Sequence, residues 1–152
     1  MNTVISGISM QLSRFSDYAL RVLFFTAIHN DRLSNLAEVA HFYGISLEHL
    51  RKVVHALGKL GYLQTFRGKK GGFRLAINPH EVNIGQLLRH TEGTDPLVDC
   101  EAPPCRLSGH CRLQGVLAEA QQAFFDVLSR YSLSDLIQDT DMQRLIQLKP
   151  CD

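Results

Sequence analysis

Hydrophobic residues near the start of the chain follow a helical repeat in three successive segments. Apolar residues recur at three- and four-residue steps over residues 13–29, which predicts a first helix capped by its initial serine. Asn35 and Glu38 have the spacing of a capping box and predict the start of a short second helix. Gly44 suits a tight turn, and Ser46 is the predicted cap of a third helix. Two helices joined by a glycine-containing turn have the order of a helix-turn-helix motif.

The third predicted helix has one apolar and one polar face. Its predicted inner face consists of Leu47, Leu50, Val53, Val54, Leu57 and Leu60. The polar residues must then face outward, namely Glu48, His49, Arg51, Lys52 and His55. A recognition helix in a major groove requires this arrangement, whereas a solvated helix face is the alternative. The predicted DNA-contacting residues here are Ser46, Glu48, His49, Arg51 and Lys52.

A hairpin is predicted to follow, because the helical repeat gives way to two short β-prone runs, residues 62–66 and 73–77. The connecting segment 67–72 contains three glycines and three cations, which are Arg67, Lys69 and Lys70. Glycine allows close backbone approach, and cations can contact phosphate or enter a narrow minor groove. A polar turn is the alternative, but ordinary turns rarely need this combination. We therefore predict a DNA-binding wing.

A long amphipathic helix is predicted near the end of the chain. Asn83 is the expected cap of a helix that ends near Thr91, and residues 93–109 then show neither helical nor strand periodicity. The long helix begins at Arg112 and has one apolar face: Leu113, Val116, Leu117, Ala120, Phe124, Val127, Leu128 and Tyr131. A last short helix is expected from Ser134.

No later segment is large enough to cover the apolar face of the long helix. A matching helix from a second copy of the chain would cover it, and a two-fold dimer presents two recognition helices one DNA turn apart. We therefore predict a homodimer that binds a palindromic operator. The alternative is that the helix folds back on its own domain.

Length and charge fit one DNA-binding domain with an extension. The chain has 152 residues, of which 45% are hydrophobic, enough for one core. No stretch approaches the roughly 18 apolar residues of a membrane span, and residues 1–10 lack a secretory pattern, so we expect a cytoplasmic protein. Residues 1–80 carry ten Lys or Arg against four Asp or Glu, and residues 81–152 carry six against eleven. A basic first half favours a polyanionic partner, although small domains also vary this much by chance.

Three of the four cysteines lie in one short loop. Cys100, Cys105 and Cys111 are separated by four and then five residues in a segment that contains proline and glycine. Thiolates favour zinc, copper(I) or an iron-sulfur cluster, and the paired Cys-x-x-Cys spacing usual for zinc is absent. The spacing therefore leans towards iron-sulfur without deciding it. Cys151 stands apart and is interpreted as incidental.

From Met10 onward the chain resembles the Rrf2 family of winged-helix transcription regulators. The segment Met10–Arg21 is similar to the opening segment of the family, and residues 67–75 are similar to its wing. The three-cysteine loop lies where the family binds its cluster. Its four-then-five spacing is similar to that of the nitric-oxide-sensing repressors in the family.

The resemblance implies an iron-sulfur cluster on the three loop cysteines, with a 4Fe-4S cluster favoured over 2Fe-2S. Regulators of cluster biogenesis in the family carry a histidine ligand three residues after the third cysteine, where this chain has Gln114. Similarity to the nitric-oxide-sensing repressors implies Asp17 of the partner subunit as the fourth ligand. The alternative is that Asp17 is an acid favoured by the helix dipole. His110 and Glu101 are the reserve ligands.

The combined prediction is a mainly α-helical fold with a small β wing. Its parts are a winged helix-turn-helix DNA-binding domain (10–92), a cluster-binding loop (93–111), a dimerisation helix (112–131) and a C-terminal segment (132–152). The expected function is a homodimeric repressor that binds double-stranded palindromic operator DNA. The resemblance implies that nitric oxide nitrosylates the cluster, breaks the Asp17 bridge and releases the DNA.

Two other functions are weighed against this prediction. One is an iron- or redox-sensing regulator of the same family, and the other is a small iron-sulfur electron carrier. The chain shows no second cluster motif, nucleotide fingerprint or recognisable nucleophile-base pair. We therefore do not expect an enzyme.

Overall fold

Helices dominate the fold, and the sheet is a single hairpin. The computed structural model describes residues 10–148. In chain order the elements are α1 (Arg14–Ile28), α2 (Leu36–Tyr43), α3 (Leu47–Lys59), β1 (Leu63–Phe66), β2 (Gly72–Leu75), a 3-10 turn (Pro79–Glu81), α4 (Ile84–Glu92), α5 (Arg112–Leu128), α6 (Leu133–Leu136) and α7 (Thr140–Gln147). No helix in the described part of the chain is long and apolar enough to cross a membrane.

The first four helices start where the sequence predicts them. Three predicted caps accept a hydrogen bond from a backbone amide of the first turn, namely Ser13 in α1, Ser46 in α3 and Asn83 in α4. Asn35 and Glu38 make both bonds of the predicted capping box. Gly44 turns the chain between α2 and α3 with a φ of 64°, a conformation that glycine adopts without strain.

The core is built around α1, which contacts α2, α3, α4, α7 and β2. Val22 and Leu23 of α1 are fully buried against Leu50 and Leu57 of α3, which are also fully buried. Burial of large aliphatic side chains of this kind is the main stabilising contribution to such a fold. The relative position of the helix-turn-helix segment is therefore determined by α1.

The predicted inner face of α3 is wrong at its two ends. Leu47 and Leu60 are 45% and 41% exposed, whereas the four apolar positions between them are buried. Leu47 is the first residue of α3 and Leu60 follows its last residue. Both lie at the ends of the helix, where the apolar repeat does not bring them into the core.

The hairpin is shorter than predicted but has the expected antiparallel pairing. Its register places Leu63 opposite Leu75 and Phe66 opposite Gly72. A third segment adds to it, because Ser34 and Phe73 exchange two backbone hydrogen bonds of 2.9 and 2.8 Å. A side chain at Gly72 would collide with the Ser34 carbonyl oxygen. Glycine therefore allows the base of the hairpin to join the segment that leads into α2.

Helix α5 packs closely on α4. Gly85 of α4 faces Ser129 and the Phe125 carbonyl so closely that an added Cβ would collide with both. Arg89 lies over the Phe125 ring, with Cζ 4.4 Å from the ring centroid. Phe125 is the one buried residue of α5, although the periodicity did not include it in the apolar face.

Most of the predicted apolar face of α5 is exposed in a single chain. Five of its large hydrophobic side chains are 46–58% exposed, namely Leu113, Val116, Phe124, Val127 and Tyr131. Helix α5 does pack on α4 of its own domain, so the alternative of a helix that folds back stays open beside the predicted dimer. Phe125 and Leu128 pack against the core, and this contact leaves the five side chains above uncovered.

The C-terminal prediction is partly wrong. The short helix α6 is capped by Ser132 rather than Ser134, because Ser132 and Asp135 form a capping box. A further helix, α7, was not predicted; it is capped by Asp139 and buries Ile146 against the core. Cys151 lies outside the described residues.

Candidate functional site

The outer face of α3 presents the residues predicted to contact DNA. Glu48, His49, Arg51 and Lys52 are all exposed. Neither cation forms an ion pair within residues 10–148. The Ser46 hydroxyl is exposed as well, but it accepts the His49 amide at 3.3 Å as the helix cap. The face therefore offers two free positive charges to an anionic partner.

Helix α1 touches this face through Tyr18. The Tyr18 and His49 rings lie 6.0 Å apart between centroids, at an angle of 41°. Sequence periodicity assigned Tyr18 to the apolar face of α1 but gave no indication of its partner. The contact joins the start of α3 to the helix that carries Asp17.

The wing is a glycine turn with three exposed cations. Gly68 adopts a φ of 102°, and the Gly71 amide donates to the Gly68 carbonyl at 3.0 Å. A Cβ on Gly71 would collide with the Phe66 carbonyl oxygen. The cations are Arg67, Lys69 and Lys70, and none of them pairs with a carboxylate in the described residues. Glycine thus permits the tight turn that displays these charges.

Arg74 is a further cation of the hairpin that sequence reasoning missed. It is exposed on β2 and donates from Nε and Nη2 to the Gln64 Oε1 atom at 3.3 and 3.2 Å. Its Cζ lies 5.1 Å from the centroid of the Phe66 ring. The alternation of the strand was the available signal, because it places Arg74 on the outer face.

The three predicted cysteine ligands lie in a loop closed by backbone turns. Cys100, Cys105 and Cys111 are free; Cys105 is exposed and the other two are half-buried. The Cys105 amide donates to the Cys100 carbonyl at 3.0 Å. The Asp99 carboxylate accepts the amides of Glu101 and Ala102, and these bonds lower its pKa. The first two cysteines are thus joined by an ordered turn.

The Cys100 thiol is close enough to the other two cysteines for their charges to affect it. The pKa of the Cys100 thiol is raised, first by desolvation and then by charge on its neighbours Cys105, Cys111, Asp99 and Glu101. No three His, Cys, Asp or Glu side chains gather at metal-binding spacing in the part of the chain that the structure describes. The donor type nevertheless fits an iron-sulfur cluster, because all three thiols are free and such clusters are held by thiolates.

Asp17 has a partner on its own helix. Its carboxylate accepts a hydrogen bond from Arg21 Nε at 2.9 Å, and the two side chains are 42% and 39% exposed. Arg21 Cζ also lies 5.5 Å from the centroid of the Tyr43 ring. Burial raises the pKa of Tyr43 to about 12, so this ring is neutral at physiological pH. Ligation by Asp17 of the partner subunit stays a prediction.

The other residues weighed as ligands are near the cysteines in sequence. Glu101 and His110 are exposed in the loop. Gln114 is half-buried in the first turn of α5 and lines a cavity of about 260 Å³ together with Val98 and Leu117. The exposure of Glu101 and His110 is compatible with a reserve ligand role for either residue and does not favour one over the other.

Comparison with protein families matches residues 12–139 to the Rrf2 family, described as "Iron-dependent Transcriptional regulator". The chain belongs to the Rrf2 family. Its members are transcriptional regulators, so the prediction of a regulator rather than an enzyme is confirmed.

Relatives within the family are similar along nearly their whole length. The HTH-type transcriptional regulator NsrR of Halalkalibacterium halodurans is 46% identical over 146 residues, covering 93% of this chain and 100% of that protein. NsrR of Bacillus subtilis is 41% identical over 145 residues, covering 92% and 99%. The predicted similarity to one branch of the family is therefore confirmed.

Solved structures confirm the fold. The cysteine regulator CymR of B. subtilis superposes with a TM-score of 0.70 at 22% identity, covering 85% of this chain and 97% of that one. T. potens IscR superposes with a TM-score of 0.69 at 23% identity, covering 86% and 88%. The predicted architecture, mainly α-helical with a small wing, is that of this family.

Proposed function

We propose that the chain is an iron-sulfur-dependent repressor that acts as a homodimer in the cytoplasm and releases palindromic operator DNA on exposure to nitric oxide. The observation that carries this proposal is the joint presence of three free cysteines in one loop and an exposed basic surface on α3 and the wing. The relatives named NsrR and the iron-dependent description of the family support it.

The DNA-binding part of the proposal rests on exposed cations that have no carboxylate partner in the described residues. Arg51 and Lys52 on α3 and the cations at the wing tip form no ion pairs in the described residues. Free cations on adjacent elements neutralise phosphates, while α3 reads base edges in the major groove. Double-stranded DNA is the partner that matches both features.

The dimer is supported by the exposed face of α5. Five large hydrophobic side chains on one helix are about half exposed in the single chain, including Phe124 and Tyr131. A second α5 is the simplest cover, because an isologous contact buries the same face on both copies. Two copies related in this way present two α3 helices to one palindrome.

Cys100, Cys105 and Cys111 would hold the cluster, with Asp17 of the partner subunit as the proposed fourth ligand. When bound, an iron-sulfur cluster supplies iron centres that nitric oxide can attack, and we favour the 4Fe-4S form. The residues of the chain contribute an incomplete thiolate shell. An oxygen ligand is a weaker donor to iron than a thiolate, which suits a sensor.

The decisive experiment compares DNA release by three agents. Protein purified without oxygen is loaded on a palindromic duplex that it has selected from a random pool, and nitric oxide, oxygen or an iron chelator is added. Release by nitric oxide at the lowest dose supports the proposal. Release by chelator or oxygen first indicates an iron- or redox-sensing regulator instead. Failure to bind any duplex would overturn the proposed repressor function.

A further inference from the structure

We propose that Arg74, held by Gln64 and Phe66 on the outer face of the wing, binds a phosphate of the DNA backbone. This inference rests on the proposed DNA-binding function and deepens it. Besides the DNA contacts predicted for the turn of the wing, it adds a phosphate contact made from a strand of the hairpin.

The hairpin holds the Arg74 guanidinium in place from two sides. Gln64 lies directly opposite Arg74 in the register, and its Oε1 atom accepts from Nε and Nη2. Phe66 lies two residues further along the same strand, so its ring is on the same face, with its centroid 5.1 Å from the guanidinium carbon. A guanidinium held in this way loses less conformational entropy when it binds an anion than a free side chain does.

No anion of the described chain satisfies this charge. Arg21, Arg32, Arg89 and Arg144 each have a carboxylate partner within residues 10–148, whereas Arg74 has none. Its contacts are a neutral amide and an aromatic ring, both of which leave the charge intact. The Nη1 group makes no hydrogen bond there. The remaining N–H donors form the kind of fork that recognises a phosphate.

Arg74 also extends the basic surface of the wing from the turn along strand β2. Phe66, on which it lies, is followed directly by Arg67 at the tip. The outer face of the hairpin therefore carries positive charge from the turn back along β2. Backbone phosphates repeat along the duplex, so a wing tip in a groove brings its outer strand towards neighbouring phosphates.

The test measures DNA affinity against salt for Arg74→Ala, Arg74→Lys and Gln64→Ala. The probes are a random-sequence duplex and the palindromic duplex selected from it. Arg74→Ala should weaken both complexes by roughly tenfold at about 0.1 M salt, and should lower the salt slope by about 0.9 for each subunit in contact. Arg74→Lys should keep the slope but weaken binding, because a point charge lacks the fork. Gln64→Ala should behave like Arg74→Lys.

Arg32→Ala is the matched control, because Arg32 is also an exposed arginine but pairs with Glu38. It should leave the affinity and the salt slope unchanged. The proposal is overturned if Arg74→Ala keeps the wild-type slope, whether or not its melting temperature falls, since that pattern indicates a purely structural residue. If the wild-type protein binds neither duplex, the proposed function itself fails. If the wild-type protein binds both duplexes and Arg74→Ala changes neither the affinity nor the salt slope, this inference fails while the proposed function stands.

Discussion

The Tyr18 ring lies 6.0 Å from the His49 ring, which joins the first turns of α1 to the first turn of α3. Tyr18 directly follows Asp17, the residue proposed to reach the cluster of the other subunit. A change in the position of α1 would therefore displace the start of α3 through these packed side chains. In the proposed dimer two α3 helices must match one operator, so a small shift of this kind should cost much affinity.

The cluster assignment predicts that each of the three loop cysteines is needed. Cys100→Ala, Cys105→Ala and Cys111→Ala should each abolish iron incorporation, because two thiolates do not hold a cluster that requires three. Iron and sulfide are counted per chain after anaerobic purification. Cys151→Ala is the control and should have wild-type cluster content. Normal iron content in any of the three loop variants would remove that cysteine from the site.

The wing assignment predicts different effects for its two kinds of cation. Arg67→Ala should weaken operator binding by about 1–3 kcal/mol if Arg67 reads a groove, with a smaller effect on random DNA. Lys69→Ala should weaken both duplexes similarly and flatten the salt dependence, as expected for a phosphate contact. Titrations at several salt concentrations separate the two. Unchanged affinity and slope in both variants would contradict a DNA-binding wing.

The close contact between α4 and α5 predicts a large effect of a small substitution. Gly85→Ala should destabilise the protein by about 1–3 kcal/mol, because the added methyl group collides with Ser129 and the Phe125 carbonyl. Gly58→Ala in α3 is the matched control, since its Cβ would meet only atoms 3.9 Å or more away. That variant should be neutral or slightly more stable, because alanine favours a helix. Urea unfolding measures both, and equal effects would contradict the packing argument.

Local signals predicted the helix starts because a cap is formed by residues a few positions apart. Asn35 and Glu38 specify the start of α2 on their own, and the same holds for Ser46 in α3. Helix α7 escaped prediction although Met142, Leu145 and Ile146 have helical spacing and Asp139 is a capping residue, because a helix of eight residues offers only about two turns of this repeat. The exposure of the α3 and wing cations was also predictable, since it follows from the periodicity of the flanking core residues.

Contacts between distant segments had no local signal. The pairing of Ser34 with Phe73 and the contact of Tyr18 with His49 depend on the tertiary fold. Asp17 and Arg21 are different, because they lie four residues apart on α1 and their ion pair therefore had a local signal that the apolar repeat does not show. The pattern of α1 records which residues face the core but not which polar residues pair on its surface. The cysteine thiols specify the donor type, whereas the geometry of the proposed cluster would depend on the metal and on the fourth ligand proposed from a second chain.

Glu92 predicts a specific pH dependence of stability. Its carboxylate accepts the Ser13 amide at 2.7 Å and joins the end of α4 to the start of α1. Desolvation acts to raise the pKa of Glu92, but hydrogen bonds from Ser16 and Ser13 outweigh it and lower the pKa. A lowered pKa in the folded state means that this contribution is present above about pH 4.3, the ordinary value, and is lost as pH falls through the folded-state pKa.

Glu92→Gln keeps a hydrogen-bond acceptor but removes the titrating charge. The difference in unfolding free energy between wild type and this variant should therefore be largest above about pH 5 and should shrink in more acidic solution. Urea unfolding at a series of pH values measures it. A difference that stays constant across the acidic range would mean that the Glu92 charge contributes nothing to the contact.

The proposed role of Asp17 predicts that its removal weakens DNA binding without abolishing cluster binding. If Asp17 of the partner subunit ligates iron, Asp17→Ala should retain a cluster on the three cysteines but with an altered absorption spectrum and faster loss. Its cluster-loaded form should bind the operator as weakly as the cluster-free wild type, because the link between the two subunits is gone. Absorbance, iron content and operator affinity are measured on the same preparation.

Arg21→Ala is the control that the structure supplies for this prediction, because it breaks the same ion pair while keeping the Asp17 carboxylate. An exposed i, i+4 pair contributes only about 0.3–0.5 kcal/mol, so either variant should lose little stability from the broken pair. A ligand role requires that Asp17→Ala change the spectrum and the DNA affinity while Arg21→Ala keeps the wild-type spectrum. If the two variants behave alike and keep wild-type spectra, Asp17 serves only its own helix, and His110, Glu101 or solvent becomes the fourth ligand to test.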